Sequence, residues 1–311
     1  MSEPPVQVSL QASPQDAGSW VDLARRCEDS GFRALLVSDH PGTGPSPFIA
    51  LAAAATATTT LRLGTYVLNA GVRDALLIAA DTATLDVVSG GRAEVGLGAG
   101  HTPAEWKMTG RTRPDASGRV QHLIEVAGAV RTLLEGRNVP AADIGAGRDV
   151  VLTAPRPVQP RVPLLIGGNH SELLAWVGAH ADAVGLSGLG RTPADGHSHT
   201  VDWSPARIGA TVAAVHSGST AAGRDLPPLE ALVQVVTTTE DRRSTAAGLA
   251  QETGSRVEDL LTAPYLWIGT VEEIVEQVHT ARQRWGINRR VVRAGAFDTA
   301  REVIARLARN P

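Results

Sequence analysis

Short apolar runs alternate with longer Ala-rich segments along the whole chain, and in the longer segments the apolar positions recur at helical spacing. Read against period-two and helical templates, the pattern predicts strands at 6–10, 34–37, 61–68, 93–97, 163–166, 183–186, 232–237 and 290–292. It predicts helices at 19–30, 48–57, 74–88, 118–134, 171–180, 205–216, 271–285 and 299–308. The strands are continuously apolar rather than alternating, as in a parallel sheet covered by helices on its faces. Eight βα units without a break in composition predict a single α/β domain over 1–311, a TIM (β/α)8 barrel, in preference to an open sheet. Two stretches fall outside the alternation. The Gly- and Pro-rich segment 138–160 reads as an inserted excursion before the fifth strand, and 188–203 reads as a long polar loop.

Composition narrows the function. A chain of 311 residues with 43% hydrophobic residues can bury a large core. A net charge of -3 offers no basic field for nucleic acid, and no apolar run approaches a membrane span. The N-terminal MSEPPVQVSL lacks a signal-peptide pattern, so the expectation is a soluble, cytoplasmic protein acting on a small molecule. Cys27 is alone, which excludes an internal disulfide and any multi-cysteine metal site. His197-Ser198-His199 has a spacing that could catch a metal, but with no third ligand a solvated loop is the better reading and no metal is expected. Neither a G-x-S-x-G elbow nor a Walker loop is present.

The stretch Gly96-Leu97-Gly98-Ala99-Gly100 looks at first like a dinucleotide-binding loop. Its spacing is G-x-G-x-G, it follows the fourth strand, and Thr102-Pro103 delay the helix. A Rossmann cradle needs G-x-G-x-x-G after the first strand, so that reading fails. The alternative is a barrel strand whose glycine end lets a flat ligand lie against bare backbone. Other strand ends carry chemistry too: Ser38-Asp39-His40 after the second, Tyr66-Val67-Leu68-Asn69 in the third, Gly167-Gly168-Asn169-His170 after the fifth. The last runs into a helix, where backbone N–H groups can hold a phosphate. An acid/base pair, a ring-sized bare surface and a phosphate site together suggest a flat, phosphorylated cofactor.

Five segments, GFRALLVSDH (31–40), TTTLRLGTYVLNAG (58–71), TATLDVVSGGRAEVGLGAG (82–100), RPVQPRVPLLIGGN (156–169) and IGTVEEIVEQVHTARQRWGINRRVVRA (268–294), together resemble the bacterial luciferase-like monooxygenase superfamily, and within it the F420-dependent oxidoreductases. The resemblance implies a TIM barrel, often a homodimer, binding deazaflavin F420 or, alternatively, FMN. It implies that Asp39 and His40 are the Asp-His pair beside the cofactor, with His40 a proton donor. It also implies a non-prolyl cis peptide at Tyr66-Val67, a cofactor edge along Gly98, Ala99 and Gly100, and a phosphate loop at Gly167, Gly168 and Asn169. Three departures matter, the first being Pro41-Gly42-Thr43-Gly44 where the sugar-phosphate dehydrogenase branch places a Trp shortly after the Asp-His pair. His101 stands where the sugar-phosphate dehydrogenases of that branch carry an acid, and Lys107, the only lysine, cannot rebuild their phosphate site.

Each candidate has a plainer alternative. Asp39 is either acid/base machinery or a structural acceptor, and a carboxylate beside His40 would fix its tautomer and raise its pKa. His101 is an extra acid/base candidate or an exposed loop histidine. Trp106, in a short loop helix beginning near Glu105, either walls the substrate pocket or packs. Arg293 meets a ligand or makes a salt bridge, while Trp176, Trp267 and Trp285 read as core. The expected activity is hydride transfer between F420 and a small carbonyl, imine or activated alkene. The alternatives are an FMN monooxygenase, a non-catalytic cofactor-binding barrel and, more distantly, an NAD enzyme.

Overall fold

The structure is a computed structural model that describes residues 5–144, 147–190 and 199–309. In chain order the elements are β1 (Gln7–Gln11), α1 (Ala17–Asp29), β2 (Ala34–Val37), α2 (Pro47–Ala55), β3 (Arg62–Thr65), β4 (Leu68–Asn69), α3 (Ala75–Ser89), β5 (Ala93–Gly98), α4 (Pro103–Met108), α5 (Ala116–Leu134), α6 (Ala141–Ile144), β6 (Leu164–Gly167) and α7 (Ser171–His180). They continue as β7 (Ala183–Leu186), α8 (Pro205–Ala221), β8 (Leu229–Leu232), β9 (Val235–Thr238), α9 (Arg242–Thr253), α10 (Val257–Thr262), β10 (Leu266–Gly269), α11 (Val271–Trp285), β11 (Ile287–Arg293) and α12 (Phe297–Leu307). Strands β1, β2, β3, β5, β6, β7, β8 and β11, each followed by helix, are the eight βα units of a TIM (β/α)8 barrel.

The chain divides into two compact units. In the unit of residues 11–28 and 34–167, β2 pairs with β3, β3 and β4 with β5, and β5 with β6, all in parallel. All six residues of β5 are buried. Cys27 lies in this unit's core, its thiol pushed up to about 12 by burial, which suits packing and not reactivity. In the unit of residues 1–10, 29–33 and 168–311, β7 and β11 flank β8 in parallel, and β9 and β10 form a parallel pair of their own. Helix α11 starts with a full capping box between Thr270 and Glu273 and stops at Gly286, whose φ of 68° only glycine adopts readily.

The structure corrects the pattern in three places. The predicted strand 61–68 is broken into β3 and β4 at Tyr66-Val67, whose peptide bond is cis. The predicted strand 232–237 is two strands, with β8 lying N-terminal to it. Its sequence, Leu-Glu-Ala-Leu, hides behind a charge: Glu230 is fully buried and its Oε2 accepts from Arg33 Nη2 at 3.3 Å, so a core strand carries an acid. The β-branched run that attracted the prediction, Val235–Thr238, is instead half-exposed β9. Its partner β10 and the polar helices α9 and α10 have no counterpart in the predicted elements. The excursion 138–160 contains α6 and an antiparallel bridge between Val139 and Val150. Of the loop 188–203, residues 191–198 lie outside the described residues, and with them His197 and Ser198.

Candidate active site

His40 lies just past β2, in a turn where its carbonyl accepts from the amides of Thr43 and Gly44 at 3.0 and 2.7 Å. The imidazole is half-exposed, and its Nδ1 lies 2.8 Å from Glu105 Oε1. Glu105 comes from α4 and is only 4% exposed. Its other oxygen, Oε2, accepts from Asn69 Nδ2 at 2.6 Å, and Asn69 Oδ1 in turn accepts from the Gly71 amide at 3.0 Å. The ring of His101 stands edge-on to that of His40, with centroids 6.5 Å apart.

The carboxylate that sets the histidine is therefore Glu105, and Asp39 is engaged elsewhere. Asp39 is buried, takes both ends of the Arg73 guanidinium at 2.7 and 2.8 Å, and accepts from the Asn69 amide at 3.2 Å. That is the geometry of a structural acceptor joining the ends of β2, β4 and the start of α3. The hydrogen bond to Glu105 raises the His40 pKa against the opposing pull of burial, and the charges of Glu105 and Asp39 add to the rise. Burial alone would raise Glu105, but hydrogen bonds from His40 and Asn69 and the charges of His40 and His101 outweigh it and lower its pKa. A sequence signal for Glu105 existed. Thr102-x-x-Glu105 has the capping-box spacing at the start of α4, yet the Thr102 side chain makes no cap and the Glu105 carboxylate turns to His40.

The glycines at the end of β5 are closely packed where a side chain would stand. A Cβ on Gly98 would lie 2.6 Å from Val67 Cγ2, and one on Gly96 2.3 Å from the Thr65 carbonyl. Gly100, with φ of +68°, would bring a Cβ within 2.0 Å of Asn69 Oδ1. On the side where a Cβ would point, the space is filled by the Tyr66-Val67 corner and Asn69. Tyr66 is itself buried and its carbonyl accepts from Gln11 Nε2 at 2.6 Å. Trp106 packs: its ring takes the place of a Cβ on Gly71, and its Nε1 donates to the Gly100 carbonyl at 3.2 Å. Trp267 and Trp285 are buried as expected, whereas Trp176 is half-buried and stacks on His180 at 4.6 Å. Arg293 donates to Gln234 Oε1 at 3.0 Å.

In the other unit, a cavity of about 160 Å³ opens beside Gly168 and Asn169. Asn169 Nδ2 donates to the Leu189 carbonyl, and the cavity continues to Gly188, Arg207, Thr211 and Tyr265. Tyr265 is 3% exposed, Thr211 is buried, and Arg207 is exposed at the cavity's edge. The hydroxyls of Ser187, Thr211 and Tyr265, the Arg207 guanidinium and the glycine backbone are groups that can hold a phosphate, with the Asp202 carboxylate on the same lining opposing it.

Residues 2–289 match the luciferase-like monooxygenase family. The chain belongs to that family. Among solved structures, this luciferase-like protein superposes on an F420-dependent secondary alcohol dehydrogenase in complex with an F420-acetone adduct at a TM-score of 0.76, with 19% identity, covering 98% of this chain and 99% of that one. It superposes on long-chain alkane monooxygenase (LadA) at 0.75, with 15% identity, covering 100% and 92%. Such identities establish a common fold only. Among curated relatives, the F420-dependent glucose-6-phosphate dehydrogenase of Amycolatopsis mediterranei is 31% identical over 144 residues, 43% of each chain. The first curated relatives are matched over only 52% to 64% of their own length. A luciferase-like oxidoreductase or monooxygenase is the level at which these likenesses agree, and two of the proteins are F420-dependent by name.

Proposed function

We propose that the protein is an F420-dependent oxidoreductase that moves a hydride between the deazaflavin and a small carbonyl, imine or activated alkene. The observation that carries this reading is the half-exposed His40 at a strand end, backed by a buried carboxylate, in a chain whose relatives include F420-dependent dehydrogenases. When bound, F420 supplies a ring carbon that gives or takes the hydride. His40 holds or accepts the accompanying proton at Nε2, the ring atom left once Nδ1 is bonded to Glu105. The backbone at Gly98–Gly100 and the Tyr66-Val67 corner would lie along the cofactor ring. In the other unit, the cavity lined by Gly168, Asn169, Arg207, Thr211 and Tyr265 has polar groups that could hold a phosphate. The rest of the protein's part is to hold the reacting groups in register and exclude water.

His101, edge-on to His40, is the second group able to exchange a proton with substrate. We place Asp39 outside the chemistry, as the anchor that fixes the backbone of β4 beneath His40. Paired titrations of the apo protein with F420 and FMN, followed by tryptophan and cofactor fluorescence, test the reading. Saturable F420 binding with FMN ignored supports it. Preference for FMN, with turnover that requires oxygen, supports the flavin monooxygenase reading that the alkane monooxygenase likeness favours.

A further inference from the structure

Glu105 is an expensive residue for a merely structural part. It is buried, it has given up the capping position its spacing with Thr102 provides, and its partner His40 keeps 45% of its side chain in contact with solvent. An ion pair with one half-solvated member contributes little to folding, while burying a carboxylate costs free energy. The carboxylate is also fully fixed: Oε1 on His40 Nδ1, Oε2 on Asn69 Nδ2, and Asn69 locked by the Gly71 amide. A carboxylate held on one nitrogen of an imidazole chooses the tautomer and orients the ring, as the aspartate of a Ser-His-Asp triad does for its histidine.

We propose that Glu105 is the positioning residue of this site, binding His40 Nδ1–H so that Nε2 is the one ring atom that exchanges a proton with substrate, with Asn69 clamping the carboxylate in place. The proposal rests on the reading of His40 as the proton-exchanging group. The charged groups facing His40 are Glu105 from α4, Asp39 from its own strand end, where Arg73 neutralises it, and His101 from the end of β5. Of these, Glu105 is the one hydrogen-bonded to the ring.

The test uses the full-length protein without cofactor. Nitrogen-15 spectra of the histidines, with the His40 signals identified by their loss in H40N, report the tautomer of each neutral ring. Neutral His40 carrying its proton on Nδ1 is the expected result and needs no variant of Glu105 to fold; a proton on Nε2 overturns the proposal. In E105Q the His40 titration midpoint moves down relative to the wild type. A His40 midpoint that does not move, or a common shift of all histidines, also overturns it. In the holoenzyme, E105Q lowers kcat about ten-fold or more and moves the basic limb of the pH profile down with the His40 midpoint, with cofactor affinity unchanged. E105D, which keeps the charge, restores part of both. If the protein takes no F420 but the tautomer and midpoint behave as stated, the cofactor reading fails and the assignment of Glu105 stands.

Discussion

Arg73 closes on Asp39 with both arms of its guanidinium, at 2.7 and 2.8 Å, and thereby takes the acid next to His40 out of contact with the imidazole. The Asp39 side chain is 1% exposed and that of Arg73 26%. Replacing Arg73 by Ala leaves a buried carboxylate with one backbone donor. Breaking a fully buried pair costs ~3–5 kcal/mol, and partial exposure of Arg73 lowers the expectation here to about 2–3 kcal/mol. Urea unfolding of R73A measures it. A loss below about 0.5 kcal/mol would show that Asp39 is free to act in the chemistry.

The His40–Glu105 contact has a defined pH window. His40 has a raised pKa, so its contribution to stability is complete below its ordinary value of 6.5 and is lost as pH rises through the higher folded value. Glu105 has a lowered pKa, so its contribution is complete above its ordinary value of 4.5 and is lost as pH falls through the lower folded value. The stability difference between the wild type and E105Q is therefore largest between those two values and shrinks on both sides. Thermal unfolding from pH 3 to 9 measures it, and a difference that grows steadily towards alkaline pH would contradict the pairing.

Alanine at Gly98 would push against Val67 Cγ2, where an added Cβ has only 2.6 Å. Overpacking of this kind costs about 1–3 kcal/mol. The double variant G98A/V67A recovers part of that loss, because both changes act on one space. Additive losses in the double cycle would mean that Gly98 is reserved for something other than Val67.

In the cavity beside Gly168, R207A removes a charged donor and Y265F a buried one. A hydrogen bond to a charged group is worth about 1.5–3 kcal/mol, so R207A weakens cofactor binding by at least ten-fold. The same variants bind a dephosphorylated deazaflavin as the wild type does, since the phosphate is what these groups hold. Equal weakening for both ligands would place the phosphate elsewhere.

Much of this architecture is legible in the sequence because parallel strands under helices are written as uninterrupted apolar runs. Ala34–Val37, Ala183–Leu186 and α11 fall where the pattern puts them. Failures occur where chemistry overrides pattern. Glu230 disguises β8, since a buried acid paired with Arg33 looks like a surface residue in one dimension. The candidate site shows the same limit. His40 stands out by its place after a strand, but its carboxylate comes from a helix 65 residues later. Nearness in sequence favoured Asp39, and only the fold shows that Arg73 claims it. The glycines of β5 were visible as glycines. That Val67 and Asn69 fill the space beside them was not.

The uncapped start of α4 gives the Glu105 side chain two possible berths. One lies on the imidazole. The other, the amide of Thr102, is where a capping-box glutamate would turn if the imidazole were withdrawn. Loss of His40 therefore need not strand a buried charge, because the carboxylate can retreat by one turn and tighten its own helix. The first turn of α4 becomes a local gauge of the state of the histidine: its amides exchange with solvent more slowly in H40N than in the wild type, although the substitution lies 65 residues away in the chain.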